Sequence, residues 1–129
     1  MGDARRQAST RLVIEGLDID AGRGSERALA RYERAIQVDP TNPFAYLAIA
    51  RHHIARDDPA RALGYIDQAE ILLSSEALRS PRVDVHLIGL RGAALDSTGR
   101  RDGAEMLGRA SELSPGVWGD GYLDARELR

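Results

Sequence analysis

The stretch ERAIQVDPTNPFAYLAIA, residues 33–50, places the end of one predicted helix directly before the start of another. Pro40 ends the first helix, because the residue before a proline is pushed out of the α-helical region. Asn42 is an N-cap type residue, and Pro43 fits the first helical position, where its missing N–H costs nothing. The second helix has almost no polar face. Such a helix is expected to be surrounded by other elements of the fold.

Prolines and glycines divide the rest of the chain in the same way. Three further prolines follow an N-cap type residue, in the pairs Asp58–Pro59, Ser80–Pro81 and Ser114–Pro115. No segment shows the sustained alternation that is typical of a strand, so we predict no sheet. Apolar periodicity predicts helices over about residues 8–20, 25–38, 43–56, 59–73, 81–98 and 101–113, and a short seventh over 117–128. Short turns between consecutive helices make antiparallel hairpins.

Composition is that of one globular domain with a modest core, since the chain has 129 residues, 43% of them hydrophobic and 29% charged. Aromatic residues make up only 5%, so Ala, Leu, Ile and Val must form the core. A net charge of −2 argues against a nucleic-acid-binding surface, which needs clustered positive charge. The absence of cysteine from the sequence excludes disulfides, thiolate zinc sites and thiol chemistry.

The first ten residues, MGDARRQAST, have no apolar run, so we expect no signal peptide in this chain. The longest apolar run is too short to span a bilayer, and we expect no membrane insertion. Every Lys or Arg position is an arginine, a bias that is typical of a GC-rich bacterial genome. The compartment stays open between the bacterial cytoplasm and, if a leader or lipid anchor was removed, the periplasm or cell envelope.

Several positions recur at a step of 34 residues. Three pairs of identical residues and one pair of small residues have this separation: Ala28 and Ala62, Leu29 and Leu63, Ala35 and Ala69, and Gly16 and Ala50. Small residues are expected where two helices cross closely. A large residue also recurs, four positions after the first of these small residues in a helix. The repeating unit is therefore predicted to be a helix pair, present about three times.

This pattern resembles the tetratricopeptide repeat (TPR), a helix–turn–helix unit of 34 residues. The clearest match is ALARYERAIQVDPTN, residues 28–42, in which Ala28, Tyr32, Ala35 and Pro40 give the small–aromatic–small–proline order of that family. The resemblance implies one all-α domain over residues 1–129, a right-handed superhelical stack of antiparallel helix hairpins. Its units would span about residues 9–42, 43–76 and 82–117, and a C-terminal capping helix over about 116–129 would cover the last apolar face.

The chain also departs from the TPR pattern. Glu15 occupies a position that is usually apolar in the family. The second unit lacks its closing proline and continues into SSEALRS, residues 74–80, which extends it by seven or eight residues. We expect this extension to disturb the angle at which the second and third units stack.

Candidate catalytic and metal-binding residues are sparse. His52 and His53 are adjacent on a helix and point about 100° apart, whereas a metal-binding pair needs the i, i+4 spacing. The segment AGRGSER, residues 21–27, superficially resembles a phosphate-binding loop, but it has no lysine and no preceding strand, so we predict a turn before an N-capping Ser25. No nucleophile motif is present. We therefore predict a non-catalytic protein with no cofactor and no metal.

The resemblance further implies a peptide-binding groove, since the first helices of TPR units line a concave surface. Carried over by position, the groove candidates are Val13, Leu17, Asp20, Phe44, Leu47, Arg51, Ile54, His86 and Asp96, together with Ala93. The family's carboxylate clamp uses Lys and Asn, and this chain has Arg51 and Val13 there, so we expect a mostly apolar groove with Arg51 as one anchoring cation. Two alternatives stay open: Phe44 and Leu47 pack on the neighbouring units, or Arg51 forms an internal salt bridge with Asp20 or Asp96.

The sequence thus predicts a protein–protein interaction module or scaffold that binds a peptide segment of an unknown partner. Three units offer a small surface, so we expect micromolar affinity. The alternative is homo-oligomerisation, as an assembly module of a larger bacterial envelope protein. An enzyme and a nucleic-acid-binding helical array are disfavoured by the missing motifs and the acidic net charge.

Overall fold

The computed structural model describes residues 2–20, 25–74, 81–99 and 101–113, and this part of the chain is helical with no strand. The six helices are α1 (Gly2–Asp20), α2 (Glu26–Val38), α3 (Pro43–Ala55), α4 (Pro59–Ser74), α5 (Pro81–Ser97) and α6 (Arg101–Leu113). The all-α prediction is confirmed. The first helix begins at Gly2 and not near Ala8, and no proline interrupts its first two turns. The predicted seventh helix and cap, residues 116–129, lie outside the described residues.

Local capping fixes where α2 and α3 begin, as the sequence predicts. The Ser25 hydroxyl accepts from the Ala28 amide at 3.4 Å and caps α2. The Asn42 side chain accepts from the Phe44 amide at 3.1 Å, and Pro43 occupies the first turn of α3. The predicted caps at Ser80 and Ser114 fall on residues that are not described.

Consecutive helices form three hairpins: α1 with α2 (hairpin 1), α3 with α4 (hairpin 2) and α5 with α6 (hairpin 3). Each helix makes its most extensive contacts with the other helix of its hairpin. In addition, α2 contacts α3, α4 contacts α5, and α3 contacts both α1 and α5. The middle helix α3 therefore lies against four other helices, and this explains why PFAYLAIA needs no polar face.

The buried apolar residues form two clusters on opposite sides of α3. The first core joins hairpin 1 to α3 and consists of Val13, Leu17, Ala28, Tyr32, Ala35, Ala45, Ala48 and Ile49. The second core joins hairpin 2 to hairpin 3 and consists of Leu47, Ala50, Ala62, Ile66, Ala69, Leu73, Leu87, Leu90, Ala94 and Ala110. The predicted apolar face of α4 is buried in full, since Ala62, Ile66, Ala69 and Leu73 are all 0% exposed.

Glycine permits the closest helix crossings. A Cβ atom on Gly16 would collide with the Tyr32 ring and would lie 2.8 Å from its Cδ1 atom, so α1 and α2 approach as closely as they do because Gly16 has no side chain. In hairpin 3, a Cβ atom on Gly92 would lie 2.6 Å from the Leu107 amide nitrogen. At the Gly16 crossing, the 34-residue step predicts a small residue.

An ion pair and hydrogen bonds connect the first half of α1 to the end of α2 and to the turn between α2 and α3. The Arg6 guanidinium pairs with the Asp39 carboxylate at 2.7 Å. The buried Ser9 hydroxyl donates to the Ala35 carbonyl at 2.7 Å and accepts from the Asn42 amide group at 3.0 Å. These bonds satisfy polar groups at the end of the first core. Across the described residues, no helix has both the length and the apolar character that a membrane span requires.

Candidate functional site

The candidate site is the face that α1, α3 and α5 are predicted to share. On α3, Phe44, Leu47, Arg51 and Ile54 recur at steps of three or four residues and so follow one side of the helix. Phe44 and Ile54 are half-buried against the second core, which leaves part of each side chain accessible. Asp96 of α5 is exposed. These three residues are the groove candidates that present surface to solvent.

The other groove candidates are buried. Val13, Leu17, Asp20, Leu47, Arg51, His86 and Ala93 are each less than a tenth exposed. Val13 and Leu17 belong to the first core, where α1 packs on α2 and α3, and Leu47 belongs to the second core. For Leu47 the structure therefore matches the alternative in which the residue packs on its neighbours. A role of these positions in peptide binding stays a prediction.

Arg51 forms an internal salt bridge. One of its terminal nitrogens, Nη1, lies 2.9 Å from the Asp20 Oδ2 atom, and the side chains of Arg51 and Asp20 are 9% and 0% exposed. The second Asp20 oxygen, Oδ1, accepts from the Ser25 amide at 2.6 Å. Asp20 thus connects the end of α1, the start of α2 and the middle of α3. The expected anchoring cation of the groove is neutralised by a carboxylate of its own chain.

The Tyr32 hydroxyl lies beside this ion pair. Tyr32 is wholly buried, and its hydroxyl has no hydrogen-bond partner among the described residues. Burial and the nearby Asp20 carboxylate raise the pKa of Tyr32 above its ordinary value, and Arg51 only partly opposes this. Tyr32 therefore stays a neutral phenol and is unsuited to act as a base. The sequence marks Tyr32 as a large packing residue and gives no signal that its hydroxyl meets two charges.

A second cluster joins α3 to α4 through four rings. Tyr46 and Tyr65 have ring centroids 6.4 Å apart, His53 stacks on Tyr65 at 5.4 Å, and His52 meets His53 edge-on at 5.2 Å. The Tyr46 hydroxyl donates to the Pro40 carbonyl at 2.9 Å. The His53 ring thus packs on Tyr65 as an aromatic side chain would.

Arg51 and Asp20 are paired with each other, whereas the Tyr32 hydroxyl and the Nδ1 atom of His52 are buried with no hydrogen-bond partner among the described residues. Among the described residues, no three His, Cys, Asp or Glu side chains come together in a way that could hold a metal ion. No family model, no curated protein and no solved structure matches this chain.

Proposed function

We propose that this protein is a short TPR-like stack of three helix hairpins that acts as a non-catalytic interaction module. It would bind a peptide segment along the face shared by α1, α3 and α5. One observation carries the proposal: α3 packs against α1, α2, α4 and α5 while Phe44 and Ile54 stay partly accessible. In a solenoid, the middle unit contacts only its two neighbours, and its first helix still contributes to the binding surface.

Two further features support a stacked arrangement. The 34-residue step relates Gly16 to Ala50, and both are buried small residues in the second half of the first helix of a hairpin. The connections between hairpins also repeat, since α2 contacts α3 as α4 contacts α5, and α1 contacts α3 as α3 contacts α5. The same contact pattern between successive units is what a repeat protein requires.

The accessible residues suggest the chemistry of the peptide. Phe44 and Ile54 offer apolar surface, and Asp96 offers a negative charge. Arg51 is already paired with Asp20, so the face has no available cation from α3. We infer a peptide with one or two apolar side chains and a nearby basic residue, bound with roughly micromolar affinity.

A displayed random-peptide library, selected against the full chain, tests this proposal. Peptides enriched in apolar and basic residues are expected, and Asp96→Arg should weaken their binding because it reverses the charge on the face. Glu105→Arg is the matched control, since Glu105 is an exposed acid on α6. Equal loss in both variants would contradict the assignment of the face.

The same selection separates peptide binding from the alternative function. Light scattering at two protein concentrations reports self-association. A chain that selects no peptide and forms a dimer as its concentration rises would be an assembly module, and the peptide-binding proposal would fail.

A further inference from the structure

His52 and His53 lie at the end of α3, and each belongs to a different packing interface. Ala45, Ala48, Ile49 and His52 follow one another at steps of three or four residues, and the first three belong to the first core. His52 therefore continues the side of α3 that packs on hairpin 1. It is 2% exposed, and its Nδ1 atom has no hydrogen-bond partner among the described residues.

His53 lies on a neighbouring side of α3, about 100° around the helix from His52. Tyr46 and Ala50 precede it at steps of four and three residues, and both pack in or against the second core. The His53 ring is stacked on Tyr65 of α4 at a centroid distance of 5.4 Å, and the residue is 9% exposed. His53 thus joins the two helices of hairpin 2, while His52 joins hairpin 2 to hairpin 1.

Several charged groups surround the two rings. They are Asp20 of α1, Glu26 and Glu33 of α2, Arg56 and Asp58 of the turn after α3, and Arg61 of α4. Burial lowers the pKa of His52, and the carboxylates of Asp20 and Glu26 oppose this less strongly. Burial, then His52, then Arg61 lower the pKa of His53.

Hydrogen bonding also disfavours the protonated form of His52. A neutral imidazole can leave Nδ1 as an acceptor, whereas an imidazolium carries N–H groups on both nitrogens. With no acceptor at Nδ1, protonation would bury an unsatisfied charged donor, which costs more than an unsatisfied neutral group. Protonation of both residues would also bring two cations together at a ring distance of 5.2 Å.

We propose that His52 and His53 form an acid-sensitive latch that couples hairpin 1 to hairpin 2. When both rings are neutral, they hold the end of α3 against α2 and α4. When they are protonated, the end of α3 separates from these helices and hairpin 1 loses part of its docking surface. This inference does not depend on peptide binding, since its measurements concern stability and protonation.

The sign of the pH dependence follows from linkage. An unfolded histidine titrates near pH 6.5, whereas these two bind protons less readily in the fold. Unfolding therefore takes up protons as the pH falls below about 6.5, and the folded state loses stability there. At pH 5.0, one histidine that stays neutral in the fold favours unfolding by up to about 30-fold.

The test compares urea unfolding at pH 7.5 and pH 5.0, followed by circular dichroism, for the wild type and for His52→Leu/His53→Phe. The double variant replaces both rings with apolar side chains, and phenylalanine can keep the stacking on Tyr65. We expect the unfolding constant of the wild type to rise at least tenfold more than that of the double variant between the two pH values. Because each protein is compared with itself, a general loss of stability in the variant does not affect the result. An equal pH dependence in both proteins would overturn the proposal.

A second measurement uses the wild type alone and stands even if the double variant fails to fold. Nuclear magnetic resonance of the histidine ring protons is expected to show His52 and His53 titrating below pH 6.5. Amides at the interface of α2 and α3 are expected to lose hydrogen-exchange protection at pH 5.5 before those of α6, after correction for the intrinsic exchange rate. Titration of both rings at or above pH 6.5, or uniform loss of protection, would overturn the latch.

Discussion

Arg51→Met should destabilise the protein strongly, although it replaces a charged residue with an apolar one. Met fills much of the space of the arginine stem, so the main change is the loss of the guanidinium. The Asp20 carboxylate then remains wholly buried, with the Ser25 amide as its described donor. Removing one partner of a buried ion pair leaves an uncompensated charge, which costs about 3–5 kcal/mol in the free energy of unfolding.

This loss is large against the total stability of a small domain, which is about 5–15 kcal/mol. For a chain of this size it corresponds to a fall in Tm of roughly 10–20 °C. The double variant Asp20→Asn/Arg51→Met removes both charges and keeps an acceptor for the Ser25 amide. We expect it to recover most of the loss, because a buried ion pair contributes little beyond what a neutral pair of similar volume contributes.

Thermal melts and urea titrations of the single and double variants measure these differences. Arg31→Met is the matched control, since Arg31 is half exposed and pairs with Glu15 at 3.8 Å. That variant should lose less than about 1 kcal/mol. If Arg51→Met melts with the wild type, Arg51 does not hold the three helices together, and the interpretation of the ion pair as structural is wrong.

Four other substitutions test the packing. Gly16→Ala should lower the free energy of unfolding by about 1–3 kcal/mol, because the added Cβ would collide with the Tyr32 ring. Gly64→Ala is the control: its Cβ would meet nothing within 4 Å, and it should stabilise α4 by up to about 1 kcal/mol. Equal melting temperatures for the two variants would refute the close crossing of α1 and α2. Tyr32→Phe should leave the free energy of unfolding within about 1 kcal/mol of the wild type, because the buried hydroxyl has no hydrogen-bond partner among the described residues. A loss above about 2 kcal/mol in a urea titration would show that the hydroxyl is hydrogen-bonded. Ala62→Leu should overfill the second core and lower Tm by several degrees, and an unchanged Tm would mean that the α4 register is wrong.

Most of the helical architecture could be predicted from the sequence because it depends on local signals. Pro40, Asn42 and Pro43 fix the boundary between α2 and α3 within a few residues of chain. The apolar face of α4 follows from the 3.6-residue period, which places Ala62, Ile66 and their successors on one side of the helix. The absence of a polar face on α3 correctly predicts that other helices surround it.

The candidate site was less predictable because it depends on contacts between distant parts of the chain. The Arg51–Asp20 pair joins residues 31 positions apart, and the sequence allowed Asp96 as an equal partner. Alignment by repeat position made Val13 and Leu47 groove candidates and left packing on the neighbouring units open for Leu47; the structure buries both side chains in the cores. How deeply a residue is buried depends on how the neighbouring helices pack over it. The local sequence pattern around that residue does not contain this information.

The central claim is that a peptide binds along the face formed by α1, α3 and α5. Amide chemical shifts of the isotope-labelled chain, recorded while the tightest peptide from the library is added, test this claim most directly. We predict that the largest changes occur at Phe44, Ile54 and Asp96 and at their neighbours on those three helices. Changes concentrated on the outer faces of α2, α4 and α6, where Ile71 is 62% exposed, would contradict the claim.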